Sequence, residues 1–292
     1  MDCQEFAKLR KLLNETMHKL ESKNTEIDWK KKSKPGELGY VPEHEISITM
    51  QKLENEKFKL ENEYRSYMAE FCNACNEFIK IGNSIMTLTQ SVEDLKLSLN
   101  FVDKTSQKKD YLILLKKKCN HEATLDFCKK QLLSTVLEID VETQKLELAD
   151  SQQLLKTTSS LAHNMQSRGI KVDERMKSFL GNRANDVDNV QSNIEKTTKH
   201  LKSINKSQTQ KRTVEDIQAD IKRQNFELLK AQSLQMKNIE KLKYPTFENI
   251  DTIEFIQIET DALSLFIYAR NELIKELQAE LDELQKPQKT ND

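Results

Sequence analysis

A chain of 292 residues in which 46 Lys and Arg balance 47 Asp and Glu, for a net charge of −1, has no general electrostatic pull toward nucleic acid or an anionic membrane. Five glycines and four prolines are too few for the turns that sheets and catalytic loops require. No apolar stretch approaches the ~20 residues needed to cross a bilayer, and the five cysteines follow no regular framework, which suits a reducing compartment.

The chain opens with "MDCQEFAKLR", which lacks the apolar core and cleavage site of a secretory signal. Residues 1–29 read as a short helix, with Phe6, Leu9, Leu13, Leu20 and Ile27 on one face and Trp29 at its end. Residues 30–44, "KKKSKPGELGYVPEH", read as a linker or turn on their Pro and Gly content. The basic run Lys30–Lys34 suits a solvated helix end, where cations complement the dipole. Pro42, followed by Glu43 and Glu45, suits the first turn of the next helix.

Residues 45–102 carry the strongest pattern. Ile46, Met50, Leu53, Lys57, Leu60, Tyr64, Tyr67, Phe71, Ala74, Phe78, Ile81, Ile85, Leu88, Val92, Leu95, Leu99 and Val102 follow in alternating steps of four and three. Lys57 is the one polar intruder. A period of 3.5 sustained over about eight heptads predicts a long left-handed coiled coil. Cys72-x-x-Cys75 lies beside this seam. A closed zinc site needs four ligands, and Cys119, His121 and Cys128 would have to fold back to complete one. A redox pair needs its first cysteine at a helix N-terminus, whereas both of these fall mid-helix. The favoured reading is packing, with cysteine acting as a small soft hydrophobe. Around Phe71–Leu88 the apolar stripe is wider than two rows, which predicts three or four packed helices or contact with a partner.

The polar segment "DKTSQKKD", residues 103–110, is either a hairpin turn or a solvated stretch of continuing helix. Residues 111–205 read as further helical, coiled-coil segments, with bends expected at Gly169 and Gly181. Residues 202–213 are low in apolar content, and Thr213 with Asp216 forms a capping signal for a helix over 214–243. After the break at Tyr244–Asp251, residues 251–286 read as a C-terminal coiled-coil helix. Asp251 and Glu254 are its expected cap and Pro287 its stop. Its seam includes Ile256, Leu263, Ile267, Arg270, Ile274 and Leu277, with Phe255, Ile258, Leu265, Phe266 and Tyr268 off it. A lone helix would expose these, and exposed patches of that kind mark interfaces.

The expected fold is therefore all-α: an elongated coiled coil of long helices with fold-back hairpins. There is no glycine-rich phosphate loop, no His-Glu-x-x-His and no basic stripe with aromatic platforms. The expectation is a non-enzyme with no catalytic residue, cofactor or metal, no nucleic-acid partner and no membrane insertion. The expected partner interface comprises Phe71, Phe78, Ile81, Ile85 and Leu88 in the long helix, and Ile256, Leu263, Ile267, Ile274 and Leu277 in the last one. The uneven stripes favour unlike partners, that is, other coiled-coil subunits of a hetero-oligomer.

The final segment, "YPTFENIDTIEFIQIETDALSLFIYARNELIKELQAELDEL", resembles the small coiled-coil subunits of the augmin complex, which end in a Pro-containing break followed by an Ile/Leu-rich helix. That resemblance implies a role at spindle microtubules or the centrosome during cell division, with an indirect link to microtubules, in the cytoplasm and cytoskeleton. The alternative is a coiled-coil tether or adaptor in membrane trafficking.

Overall fold

The computed structural model describes residues 2–33, 35, 37, 40–206, 213–243 and 250–285. Six α-helices occupy them: α1 Cys3–Lys32, α2 Glu43–Phe101, α3 Lys108–Ser167, α4 Glu174–Lys206, α5 Val214–Lys243 and α6 Ile250–Gln285. No strand occurs among the described residues. The two central helices have 59 and 60 residues, so each is about 90 Å long at ~1.5 Å per residue.

Local chemistry sets most of the helix ends. Asp2 caps α1 by accepting from the backbone N–H groups of Gln4 at 2.9 Å and Glu5 at 3.2 Å. Lys30, Lys31 and Lys32 form the last turn of α1, so the helix runs past Trp29 and the linker begins at Ser33. Pro42 precedes α2, where its missing N–H costs nothing.

The polar segment after α2 is a turn. The Asp103 carboxylate accepts from the Thr105 N–H at 2.8 Å and from the hydroxyls of Thr105 at 2.5 Å and Ser106 at 2.8 Å. These bonds favour the charged form and hold the carboxyl well below the usual range.

Gly169, at φ +76°, follows the end of α3 in the left-handed conformation that glycine adopts most readily. Asp173 then caps α4 by accepting from the Met176 N–H at 2.8 Å. Gly181 corrects an expectation: it lies inside α4, which continues unbroken through it. A single glycine costs a helix interior only about 1 kcal/mol, and the neighbouring turns outweigh that. Residues 202–206 also belong to α4, while 207–212 lie outside the described residues. Thr213 accepts from the Asp216 N–H at 3.2 Å, as its capping signal requires. The Asp251 side chain and Pro287 lie outside the described residues.

The helices fold back in hairpins. α1 runs antiparallel to α2, with Phe6 against Phe71 and Lys23 against Glu56. α4 returns along α3, where Thr197 donates to Gln144. α5 and α6 are antiparallel, with Gln235 against Ser264 and Asn238 against Glu259. α6 then lies on α2 in the same direction, placing Phe255 beside Phe71 and Phe266 on Phe78. The main core forms where α1, α2, α3 and α6 meet. Phe71, Phe6, Phe266 and Phe78 make a continuous aromatic line there, with centroid spacings of 4.9, 5.9 and 4.6 Å. Gly82 permits the close approach of α6, because a Cβ at that position would run into the Leu265 side chain.

Candidate partner interface

Most of the side chains expected to meet a partner are covered by the chain itself. Phe71, Phe78 and Ile85 on α2, and Ile256, Leu263 and Leu277 on α6, are buried. Ile81, Leu88, Ile267 and Ile274 are half-buried. The off-seam pair Phe255 and Phe266 is buried too. The wide stripes on α2 and α6 are wide because each faces several helices of its own chain, with α1 and α3 supplying the remaining walls.

Cys72 and Cys75 belong to that same packing. Cys75 is fully buried and Cys72 is half-buried, both against the main core. Burial pushes the Cys72 thiol up to about 11 and Cys75 further still, the opposite of thiolate activation. Among the described residues, no three His, Cys, Asp or Glu side chains converge as a metal site.

One polar cluster is built into the core. Arg270, a seam residue of α6, is 5% exposed. Its guanidinium donates to both Asp140 oxygens at 2.7 and 3.0 Å and to Gln224 Oε1 at 2.7 Å. It thereby ties α6 to α3 and α5 in one register. Such a bidentate pair fixes geometry more than it adds stability. Beside it lies a cleft of about 640 Å³ between α1, α3, α4 and α5. Arg10, Lys11, Arg223 and Lys230 line it alternately with Glu15, Glu147, Asp150 and Glu227. Lys11 and Asp150 close to 2.6 Å across its rim. With both signs interleaved, the cleft selects no ligand of one charge.

The apolar side chains left uncovered are elsewhere. α5 buries Ile217, Gln224, Leu228 and Ala231 against α6, and turns Phe226, Leu229 and Met236 outward at 58, 63 and 63% exposure. Their spacing of three and seven is itself a seam pattern. This second row, set apart from the face that carries Ile217 and Leu228, is readable in the sequence from that spacing alone. On α2 and α3, Leu97, Phe101, Leu112 and Ile113 near the shared turn, and Phe127 further along α3, are likewise exposed.

No helix among the described residues is long and apolar enough to cross a membrane. Set against protein-family models, curated proteins and solved structures, the chain matches none of them.

Proposed function

We propose that this chain is a structural, non-catalytic subunit of a hetero-oligomeric coiled-coil assembly of the cytoskeleton, acting at spindle microtubules or the centrosome in cell division. The observation that carries the reading is the apolar stripe Phe226, Leu229 and Met236. It remains exposed on α5 after the chain has closed its own core, and a stripe at seam spacing suits a further helix. The choice of the spindle leans on the resemblance of Tyr244–Leu284 to augmin small subunits.

The test is to tag the endogenous protein, purify it gently from dividing cells and identify its stoichiometric partners by mass spectrometry. A fixed set of other coiled-coil proteins with tubulin or its nucleators is the expected result. Phe226→Glu with Met236→Glu should deplete that set while leaving the helical circular dichroism and the melting curve unchanged. Recovery alone, or with small GTPases and vesicle proteins, would replace the spindle reading with the membrane-trafficking tether.

A further inference from the structure

The first turns of α3 are basic, and after Asp110 acids return only at Glu122 and Asp126. Between Lys104 and Lys118 the chain carries six lysines and one acid, Asp110, within a protein whose net charge is −1. Some surface lysines elsewhere are neutralised one turn away, as in Lys96–Glu93, Lys145–Glu142 and Lys275–Glu272, each at 2.7 Å. Among the described residues, Lys108, Lys109, Lys116 and Lys117 have no carboxylate within ion-pair distance.

The same stretch carries uncovered apolar side chains. Tyr111, Leu114, Leu115 and Leu125 turn toward the hairpin and are half-buried. Leu112, Ile113 and Phe127 are 52, 46 and 66% exposed, and Ala123 is exposed with them. Lys109, Leu112, Lys116, Ala123 and Phe127 recur at steps of three, four and their sums, so they share the outer face of the helix. From Lys109 to Phe127 the face is about 27 Å long at ~1.5 Å per residue, or about five turns of a facing helix.

We propose that this outer face of α3 is a docking surface for an acidic amphipathic helix of a partner protein, with Leu112, Ile113 and Phe127 as apolar anchors and Lys109, Lys116 and Lys117 pairing with flanking carboxylates. The inference deepens the subunit reading and rests on it. Charge complementarity selects the occupant. Unpaired cations beside an apolar row match a helix carrying Leu on one face and Glu beside it. A row this narrow fits one helix better than a lipid surface. A second copy of this chain is the weaker match: its exposed α5 row stands beside the mixed pair Lys230 and Glu227, and Glu93, beside Leu97 and Phe101, is already held by Lys96.

The full chain is titrated with a fluorescent acidic amphipathic peptide about five helical turns long, with Leu at the seam positions and Glu elsewhere. The counterpart with Lys in place of Glu serves as control. The acidic peptide should bind and the basic one should not, and added salt should weaken the binding. Amide exchange should slow over 109–127. Lys109→Glu, Lys116→Glu and Lys117→Glu together should weaken binding by about tenfold or more, and Phe127→Ser should weaken it with salt dependence retained.

Equal binding of both peptides, protection elsewhere on the chain, or no binding overturns the proposal. So does self-association that protects 109–127, or flotation with phosphatidylserine vesicles in place of peptide binding. If the peptide fails while purification still yields a fixed coiled-coil partner set, this surface is refuted and the subunit reading stands.

Discussion

Removing Arg270 should cost far more than the pair it forms is worth. In Arg270→Met, the Asp140 carboxylate, whose side chain is 13% exposed, loses its counter-ion, and the fully buried Gln224 loses its donor. Stranding one partner of a buried pair costs about 3–5 kcal/mol, a large share of the ~5–15 kcal/mol that holds a typical domain together. Asp140→Leu should cost a similar amount, because it strands the guanidinium instead. The double variant, Arg270→Met with Asp140→Leu, buries no charge and should return to within ~1–3 kcal/mol of the native chain. The remainder is the orphaned Gln224 oxygen, worth about 1–3 kcal/mol, and adding Gln224→Leu should recover it. Guanidinium unfolding followed by circular dichroism, with a second probe to check that the transitions coincide, measures all of these. If the single losses simply add in the double variant, the cluster is not a coupled unit and the account of α6 register fails.

The remaining predictions use other parts of the molecule. Gly82→Ala gains up to ~1 kcal/mol of helix propensity but meets the Leu265 side chain, at an overpacking cost of about 1–3 kcal/mol. It should be net destabilising in the native background and stabilising beside Leu265→Ala; the same sign in both would remove the close approach as the reason for this glycine. Alkylation followed by mass spectrometry should label exposed Cys119 first and Cys75 only on denaturation, with Cys72 and Cys3, pushed up to about 11 and about 12, lagging behind Cys119. Early labelling of Cys75 would contradict the packing role. Asp103 has a depressed carboxyl pKa, so its contribution to the turn is present above the ordinary carboxylate range and is lost as pH falls through the depressed folded value. A carbon-detected NMR titration should place it below ordinary aspartates, and Thr105→Val with Ser106→Ala should bring it back up. Phe78→Asp should unfold the chain, since a carboxylate would replace a fully buried ring stacked at 4.6 Å on Phe266; a native melting curve would place Phe78 outside the core.

The helices were legible because each depends on short-range chemistry. The seam of α2 repeats over the whole element, and Asp2, Asp103 and Thr213 act within three residues of themselves. Gly181 misled because a glycine marks a break only where the backbone requires a left-handed residue, as at Gly169, and composition alone does not separate the two. The interface was harder to read, because an apolar stripe records that something covers it and not which chain does so. Phe255 and Phe266 look like surplus on an isolated helix. They cease to be so once α1 and α2 lie beside them, which requires chain reversals many residues away. Arg270 is a clue that the sequence does carry. A charged residue at a seam position must be matched by a carboxylate at one defined height, and Asp140 supplies it from the same chain.

Hydrophobic burial acts on whichever apolar area is nearest at high effective concentration, and segments of one chain meet at higher effective concentration than separate chains do. The widest stripes therefore close on one another, and what remains for association are the rows that topology leaves without a neighbour. On α5 that row is Phe226, Leu229 and Met236, turned away from α6. On α3 it is the basic face beyond the reach of the main core, whose partly buried members on this helix begin at Leu125. These two rows differ in charge, one beside the mixed pair Lys230 and Glu227 and the other beside unpaired lysines. On the proposed reading, a partner helix bearing lysines would be repelled from α3 by Lys109, Lys116 and Lys117, whereas the α5 row, beside a mixed pair, lacks that one-sided charge.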